Sequence, residues 1–313
     1  MSLPKMNRRA RFLVLRGGAI GDFILTLPAI HALRERWPDA VIELVGYPHI
    51  ANLALEAGLV DRVESLDRAG MAKFFTPTPT FTEEQGDYIR SFDVVISYLH
   101  DPGGFVQDNL RAAGAKQVIY GSPIVEAGHA TDHLLKPLEV LAIYAAGAFP
   151  RLVLRPESAE AGLRWLADRG IESEALAIHP GSGSPKKNWP VDRFVDLAHA
   201  LAARGRSPFF IIGEADDAAG RAILDRAPGV PVLSGASLSE VAAVLSHCVR
   251  YVGNDSGITH LAAALGIQVV AIFGNSDADR WGPRGPNVRL LRAPGGDLAA
   301  LSLDQVLEAL EKT

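Results

Sequence analysis

Short apolar, β-rich runs alternate with longer amphipathic stretches along the whole chain. In the first half, Phe12–Arg16, Val41–Gly46, Val60–Leu66, Val94–Tyr98 and Gln117–Gly121 read as strands. Leu25–Trp37, Gly104–Ala113 and Asp132–Ala146 read as helices between them. In the second half the strands are Leu176–His179, Pro208–Gly213, Val230–Leu233, Tyr251–Asn254 and Val269–Phe273. Val191–Arg204, Asp217–Arg226, Ser237–Cys248 and Ser256–Leu265 carry the helical period. Strands that alternate with helices predict a parallel sheet covered on both faces, and two such series predict two doubly wound α/β domains. Pro150 and Pro156 punctuate Gly147–Ser158 and place the boundary there, giving domains 1–150 and 151–313. Residues 68–86 show no clear period and read as an irregular loop. A last amphipathic helix, capped by Ser302, can pack back on the first domain.

Composition narrows the class. The 313 residues suit two cores rather than one. Hydrophobic residues at 48% and charged residues at 21% fit a soluble protein, and a net charge of −5 gives no reason to expect a nucleic-acid partner. A single cysteine, Cys248, excludes a disulfide framework and reads as a small core residue. The N-terminus lacks the apolar core of a signal peptide, and no run is long enough to span a membrane, so a cytoplasmic location is expected. The histidines are dispersed, which predicts no metal site. Asp277 and Asp279, beside Arg280 and Arg284, read as a solvated loop. No metal and no cofactor are expected.

Ligands of doubly wound sheets bind beyond the carboxyl ends of the strands, so the loops there are the candidates. The first is Arg16–Pro28, a glycine turn whose Asp22 stands where a phosphate-binding helix would begin. Asp22 is either a helix cap or first-turn acid, or a general base for a hydroxyl facing the cleft. The second is His179–Pro190. Its small residues, Ser182 and Gly183 among them, let backbone approach an oxyanion, and Lys186 and Lys187 add donors. Trp189 reads as a staple on Phe194, and Pro190 as the start of the next helix. The third is Val252–Gly266, where the N–H groups of Ser256 and Gly257 open a helix suited to an anion. Asp255 either caps or orders that loop. His260, one turn on, either reaches a phosphate or makes a structural hydrogen bond. Glu214, Asp216 and Asp217 compete as ribose ligands, with surface solvation as the bland reading.

Three stretches, "GAIGDFILTLPAIHALRERWPDAVIELV", "HPGSGSPKKNWPVDRFVDLAHAL" and "VGNDSGITHLAAALGIQVVAIFG", resemble in composition and order the bacterial heptosyltransferases of glycosyltransferase family 9. The resemblance spans nearly the whole chain. It implies a GT-B fold, two doubly wound Rossmann-like domains facing a central cleft. It implies metal-independent inverting transfer of a heptose, typically from ADP-heptose, to a lipopolysaccharide inner-core acceptor. The first domain would hold the glycolipid or oligosaccharide acceptor and the second the nucleotide sugar. Asp22 then falls on the catalytic base, Lys187 on the diphosphate-binding lysine, and Asp255, Ser256, Gly257 and His260 on the phosphate-binding helix start. Ser182 and Gly183 stand where the family often carries threonines, and Asp217 or Asp216 falls on the ribose acid. Peripheral contact with the inner membrane and a monomeric state are both compatible with this reading. The segment Leu66–Asp101 mixes Arg68, Lys73 and Arg90 with Glu83, Glu84 and Asp87, without the basic patch that a polyanionic acceptor would favour. The rivals are a nucleotide-sugar epimerase of similar fold, a non-catalytic sugar-nucleotide binder and, least of all, a dinucleotide-dependent dehydrogenase, since G-x-G-x-x-G is missing.

Overall fold

The computed structural model describes residues 9–68, 70–171, 174–213 and 217–312, with the side chains of 217–219 outside that description. The chain forms two units, Met1–Ala148 and Phe149–Thr313. In the first run β1 (Arg11–Leu15), α1 (Ile20–Arg36), β2 (Val41–Gly46), α2 (Pro48–Glu56), β3 (Arg62–Ser65), α3 (Glu83–Arg90), β4 (Val94–Ser97), α4 (Phe105–Ala112), β5 (Val118–Tyr120) and α5 (Ala130–Leu135). In the second run α6 (Pro156–Ala167), β6 (Ala175–His179), α7 (Val191–Ala202), β7 (Ser207–Ile212), α8 (Asp217–Arg226), β8 (Val232–Ser234), α9 (Leu238–Leu245), β9 (Arg250–Asn254), α10 (Gly257–Ala264), β10 (Gln268–Phe273), α11 (Ala278–Trp281), β11 (Val288–Arg292) and α12 (Leu303–Glu311).

Both sheets are parallel. Their orders are β3-β2-β1-β4-β5 and β11-β10-β9-β6-β7-β8. Each sheet winds one way from its first strand and then reverses. The reversal lies between β1 and β4 in the first sheet and between β6 and β9 in the second. A ligand crevice belongs at such a switch point, beyond the strand ends. The central strands are continuous apolar runs because helices cover both faces; Phe12 to Leu15 are fully buried, as are Val269 to Phe273.

Several boundaries differ from the sequence expectation. The first helix begins at Ile20, not Leu25. Gly18 takes the turn with φ +96°, and Gly21 is tolerated in the first turn. The helix expected over 132–146 stops at Leu135 and tightens into a 3₁₀ turn over Lys136–Leu141, because Pro137 has no N–H to donate. Residues 70–86 are more ordered than the pattern of 68–86 suggested. They carry a 3₁₀ turn, Ala72–Phe75, and lead into α3 through a reciprocal cap between Thr82 and Gln85. The Asn109 amide donates to the carbonyls of Phe74 and Thr76 and pins that turn to α4. Pro156 opens α6 instead of merely breaking the chain. Helix α6 lies so close to α9 that a Cβ on Gly162 would stand 2.1 Å from the Ala243 carbonyl oxygen.

The C-terminal helix has the expected Ser302 cap. Its Val306, Leu307 and Leu310 join Leu301, Phe194 and Leu197 in the second unit's core. It therefore belongs to that core. Trp189 is buried at 1% exposure with its ring edge-on to Phe194, centroids 4.9 Å apart, as a staple requires. Pro190 is the cap of α7, not its first residue. Cys248 is buried, and burial pushes its thiol up to about 12.

Candidate functional site

In the first unit, β1 delivers Arg16 to the switch point. Its guanidinium is 5% exposed, and burial lowers its pKa against the opposing pull of the Asp22 charge. Its hydrogen bonds explain why it stays. Nε donates to Thr26 Oγ1 at 2.8 Å, Nη2 to the Asp22 carbonyl at 2.9 Å, and Nη1 to the Tyr98 carbonyl at 3.4 Å. The Tyr98 carbonyl belongs to the chain leaving β4, so one buried fork spans both sides of the reversal.

Asp22 is the third residue of α1, and the cap position itself is Ala19. Its Oδ2 accepts the Ala19 N–H at 3.0 Å, and its Oδ1 lies 3.8 Å from Arg16 Nη2. The side chain is 41% exposed. Asp22 is thus the first-turn acid of the structural reading and not the cap residue, and the exposed carboxylate leaves the base reading open. Gly18 is required here, since a Cβ would stand 3.0 Å from Asp22 Oδ2. One oxygen steadied by backbone, beside a buried cation and open to solvent, is an arrangement that can accept a proton from a hydroxyl.

In the second unit the loops after β6 and β9 meet. Lys187 ends a short 3₁₀ turn, Pro185–Lys187, and its Nζ donates to Asp255 Oδ2 at 2.7 Å. Asp255 is 8% exposed and Lys187 44% exposed, so the acid is the fixed member and the lysine the presented one. An ammonium has three donors; one is engaged by Asp255, and the others suit an anion. Asp255 thus orders the lysine.

Ser256 caps α10, its Oγ accepting the Thr259 N–H at 3.3 Å. Gly257 and Ile258 follow as the leading N–H groups of the helix, which have no intrahelical acceptor. Thr259 Oγ1 donates to the Asn254 carbonyl and lies 2.8 Å from Tyr251 Oη, which holds the helix start against β9. His260 is 5% exposed inside the same helix. Ser182 Oγ donates to the Ser184 carbonyl at 2.7 Å and accepts its N–H at 3.1 Å, closing a small turn. A Cβ at Gly183 would meet nothing within 4 Å. Of the ribose candidates, Asp217 opens α8, its side chain lying outside the described part, and Asp216 and Glu214 lie outside the described residues altogether. Asp277 caps α11 and lies 3.5 Å from Arg280, and Asp279 pairs with Arg292 at 2.5 Å; both acids are exposed, Asp279 at 81%, as the solvated reading expects, each with an arginine beside it. Among the described residues no group of three or more His, Cys, Asp or Glu is placed to hold a metal ion.

The residue that sequence reasoning missed is Asn254. It is fully buried at the end of β9. Its Nδ2 donates to the Pro180 carbonyl at 2.7 Å, and its Oδ1 accepts the Trp189 N–H at 2.9 Å. One amide therefore holds both flanks of the lysine loop. A polar residue between an apolar strand and a helix cap was the available signal.

The family model for "Glycosyltransferase family 9 (heptosyltransferase)" matches residues 120–309. The chain belongs to that family. Among curated proteins, this heptosyltransferase-family chain is 24% identical over 290 residues to lipopolysaccharide heptosyltransferase 3 of Escherichia coli K12, covering 86% of this chain and 83% of that one. Among solved structures it resembles a family 9 glycosyltransferase from Veillonella parvula, with a TM-score of 0.81, 21% identity and 98% coverage of both chains. It also resembles the E. coli heptosyltransferase WaaC solved with ADP, with a TM-score of 0.74, 21% identity, and coverage of 96% of this chain and 99% of that one. These likenesses establish the GT-B fold, and the family match makes the protein a glycosyltransferase. No helix among the described residues is long and apolar enough to cross a membrane.

Proposed function

We propose that this glycosyltransferase moves a heptose from ADP-heptose to a lipopolysaccharide inner-core acceptor with inversion at the anomeric carbon. Asp22 takes the proton of the acceptor hydroxyl as its oxygen bonds to the anomeric carbon. The bond from that carbon to the diphosphate oxygen breaks, and the electron pair leaves with ADP. Lys187 and the leading N–H groups of α10, those of Gly257 and its neighbour, stabilise the charge that develops on the diphosphate. Ser182 and Gly183 line the approach of the phosphates, and His260 supports the helix start. Asp217 or Asp216 takes the ribose hydroxyls. A lipid-borne acceptor places the work at the surface of the inner membrane. No metal is assigned a role.

The observation that carries this reading is the lysine held by a buried acid beside the start of α10, at the second sheet's switch point. A relative that is a lipopolysaccharide heptosyltransferase, matched over 83% of its length, and a solved heptosyltransferase that holds ADP support the donor assignment. Neither an epimerase nor a pure binder has comparable support. A thermal-shift comparison of ADP, UDP and GDP tests the donor. ADP is expected to raise the melting temperature by mass action while the others do not. Equal shifts from all three would refute the ADP assignment.

A further inference from the structure

Between α3 and the carboxyl ends of β2 and β3 lies a pocket of about 370 Å³. Small-molecule sites run from about 300 to 1,000 Å³, so it suits a ligand of modest size. Val45, Met71 and Phe74 give it an apolar side; Glu64, Glu84 and Gln85 give it a polar one. Tyr88 closes it, donating its hydroxyl to Glu43. Glu43 is 2% exposed and, two residues before Val45, lies on the same face of β2. Burial, first, and the hydrogen bond to Glu43 raise the pKa of Tyr88, so its hydroxyl stays protonated as the donor.

The charges around this pocket are lopsided. Glu43, Glu64 and Glu84 stand against Arg62 and Arg68, and both arginines pair with Glu64. A phosphate or carboxylate entering here meets a lining of two acids, Glu64 and Glu84, against one cation, Arg68, whose Nη1 is taken by Glu64 at 3.2 Å. A neutral polyol meets what it can use. Its hydroxyls can donate to Glu84 and Glu64 and accept from the Gln85 Nε2, while its C–H face lies on Phe74 and Val45. The pocket also opens at the end of the sheet that carries Asp22. The Arg16 N–H donates to the Val45 carbonyl at 2.9 Å, and a Cβ on Gly17 would lie 3.4 Å from Leu66, the residue after β3.

We propose that this pocket is a subsite for one uncharged sugar unit of the acceptor, so that the protein selects acceptors bearing no phosphate on that unit. The proposal rests on the glycosyl-transfer reading, and its test separates the two. Saturation-transfer NMR on the full chain would compare a methyl heptoside with the same heptoside carrying one phosphate. The neutral glycoside is expected to respond about tenfold more strongly, as like-charge juxtaposition excludes the other. Ser65→Phe, which fills the pocket, should abolish that response while leaving the ADP-induced thermal shift intact. Glu84→Lys changes an exposed side chain and should narrow the difference between the two glycosides. It carries the test alone if Ser65→Phe does not fold. The proposal is overturned if neither glycoside responds or the phosphorylated one responds equally. It is also overturned if the response survives in a folded Ser65→Phe protein, or if Glu84→Lys leaves the ratio unmoved. A protein that holds the neutral glycoside here yet transfers nothing from ADP-heptose would support the subsite and refute the transferase reading. One that transfers with the pocket filled and its acceptor KM unchanged would do the reverse.

Discussion

The two switch points are built as mirror images in charge. After β1, a buried arginine supports a half-exposed aspartate: Arg16 at 5%, Asp22 at 41%. After β6 and β9, a buried aspartate supports a half-exposed lysine: Asp255 at 8%, Lys187 at 44%. In each pair the buried member is fixed by its surroundings, and the exposed member has capacity left for a ligand. The lesson is that an ion pair near a ligand site has a direction. The buried partner sets position, and the open partner meets the chemistry.

The sharpest way to break this comparison is to remove the exposed acid. Asp22→Asn keeps the shape, and the amide N–H₂ cannot take a proton. Turnover should fall by about 10²–10⁴-fold, with ADP affinity unchanged by calorimetry. Turnover close to the parent's would end the assignment of Asp22 as base. The exposed cation comes next. A hydrogen bond involving a charged group contributes about 1.5–3 kcal/mol, so Lys187→Ala should weaken ADP binding by about 10- to 100-fold while leaving Asp22 in place. If ADP affinity is untouched, the second pair is structural and the mirror is false. The buried members should act mainly through stability. Arg16→Met removes the donor to the Thr26 hydroxyl and to the carbonyls of Asp22 and Tyr98, although the Asp22 carbonyl keeps the Thr26 hydroxyl as a donor at 2.8 Å. The expected loss is about 1–3 kcal/mol in denaturant unfolding. Unchanged unfolding would show that Arg16 is not the anchor claimed. Smallest of all is the exposed pair Asp279–Arg292, where Asp279→Asn should leave the melting temperature where it is. A clear drop there would mean that exposure is a poor guide to which pairs matter.

Much of the architecture was legible because buried parallel strands are short apolar runs, and ten of them stood out between amphipathic segments. What escaped had weaker local signals. The last strand, Val288–Arg292, carries arginines at its second and fifth positions and buries no residue fully at the sheet edge, and α3 has few apolar residues to mark its period. Of the candidate site, Asp22, Lys187 and Ser256 were legible as unusual residues at strand ends. Of their supports only Asp255 was legible, as a residue ordering its loop and not as the partner of Lys187. Arg16 reads as the end of a strand, and its role follows only from Thr26 and Tyr98 closing around it. Asn254 reaches Pro180 and Trp189 across separations of 74 and 65 residues, which no local pattern encodes.

That asparagine bears on more than shape. A loop that must be ordered by its ligand gives up part of the binding energy to lost chain entropy. Here a single amide settles both flanks of the lysine turn when the protein folds, so the nucleotide arrives at a cradle already set. Loosening it with Asn254→Ala should show up first in calorimetry, as a more unfavourable entropy of nucleotide binding.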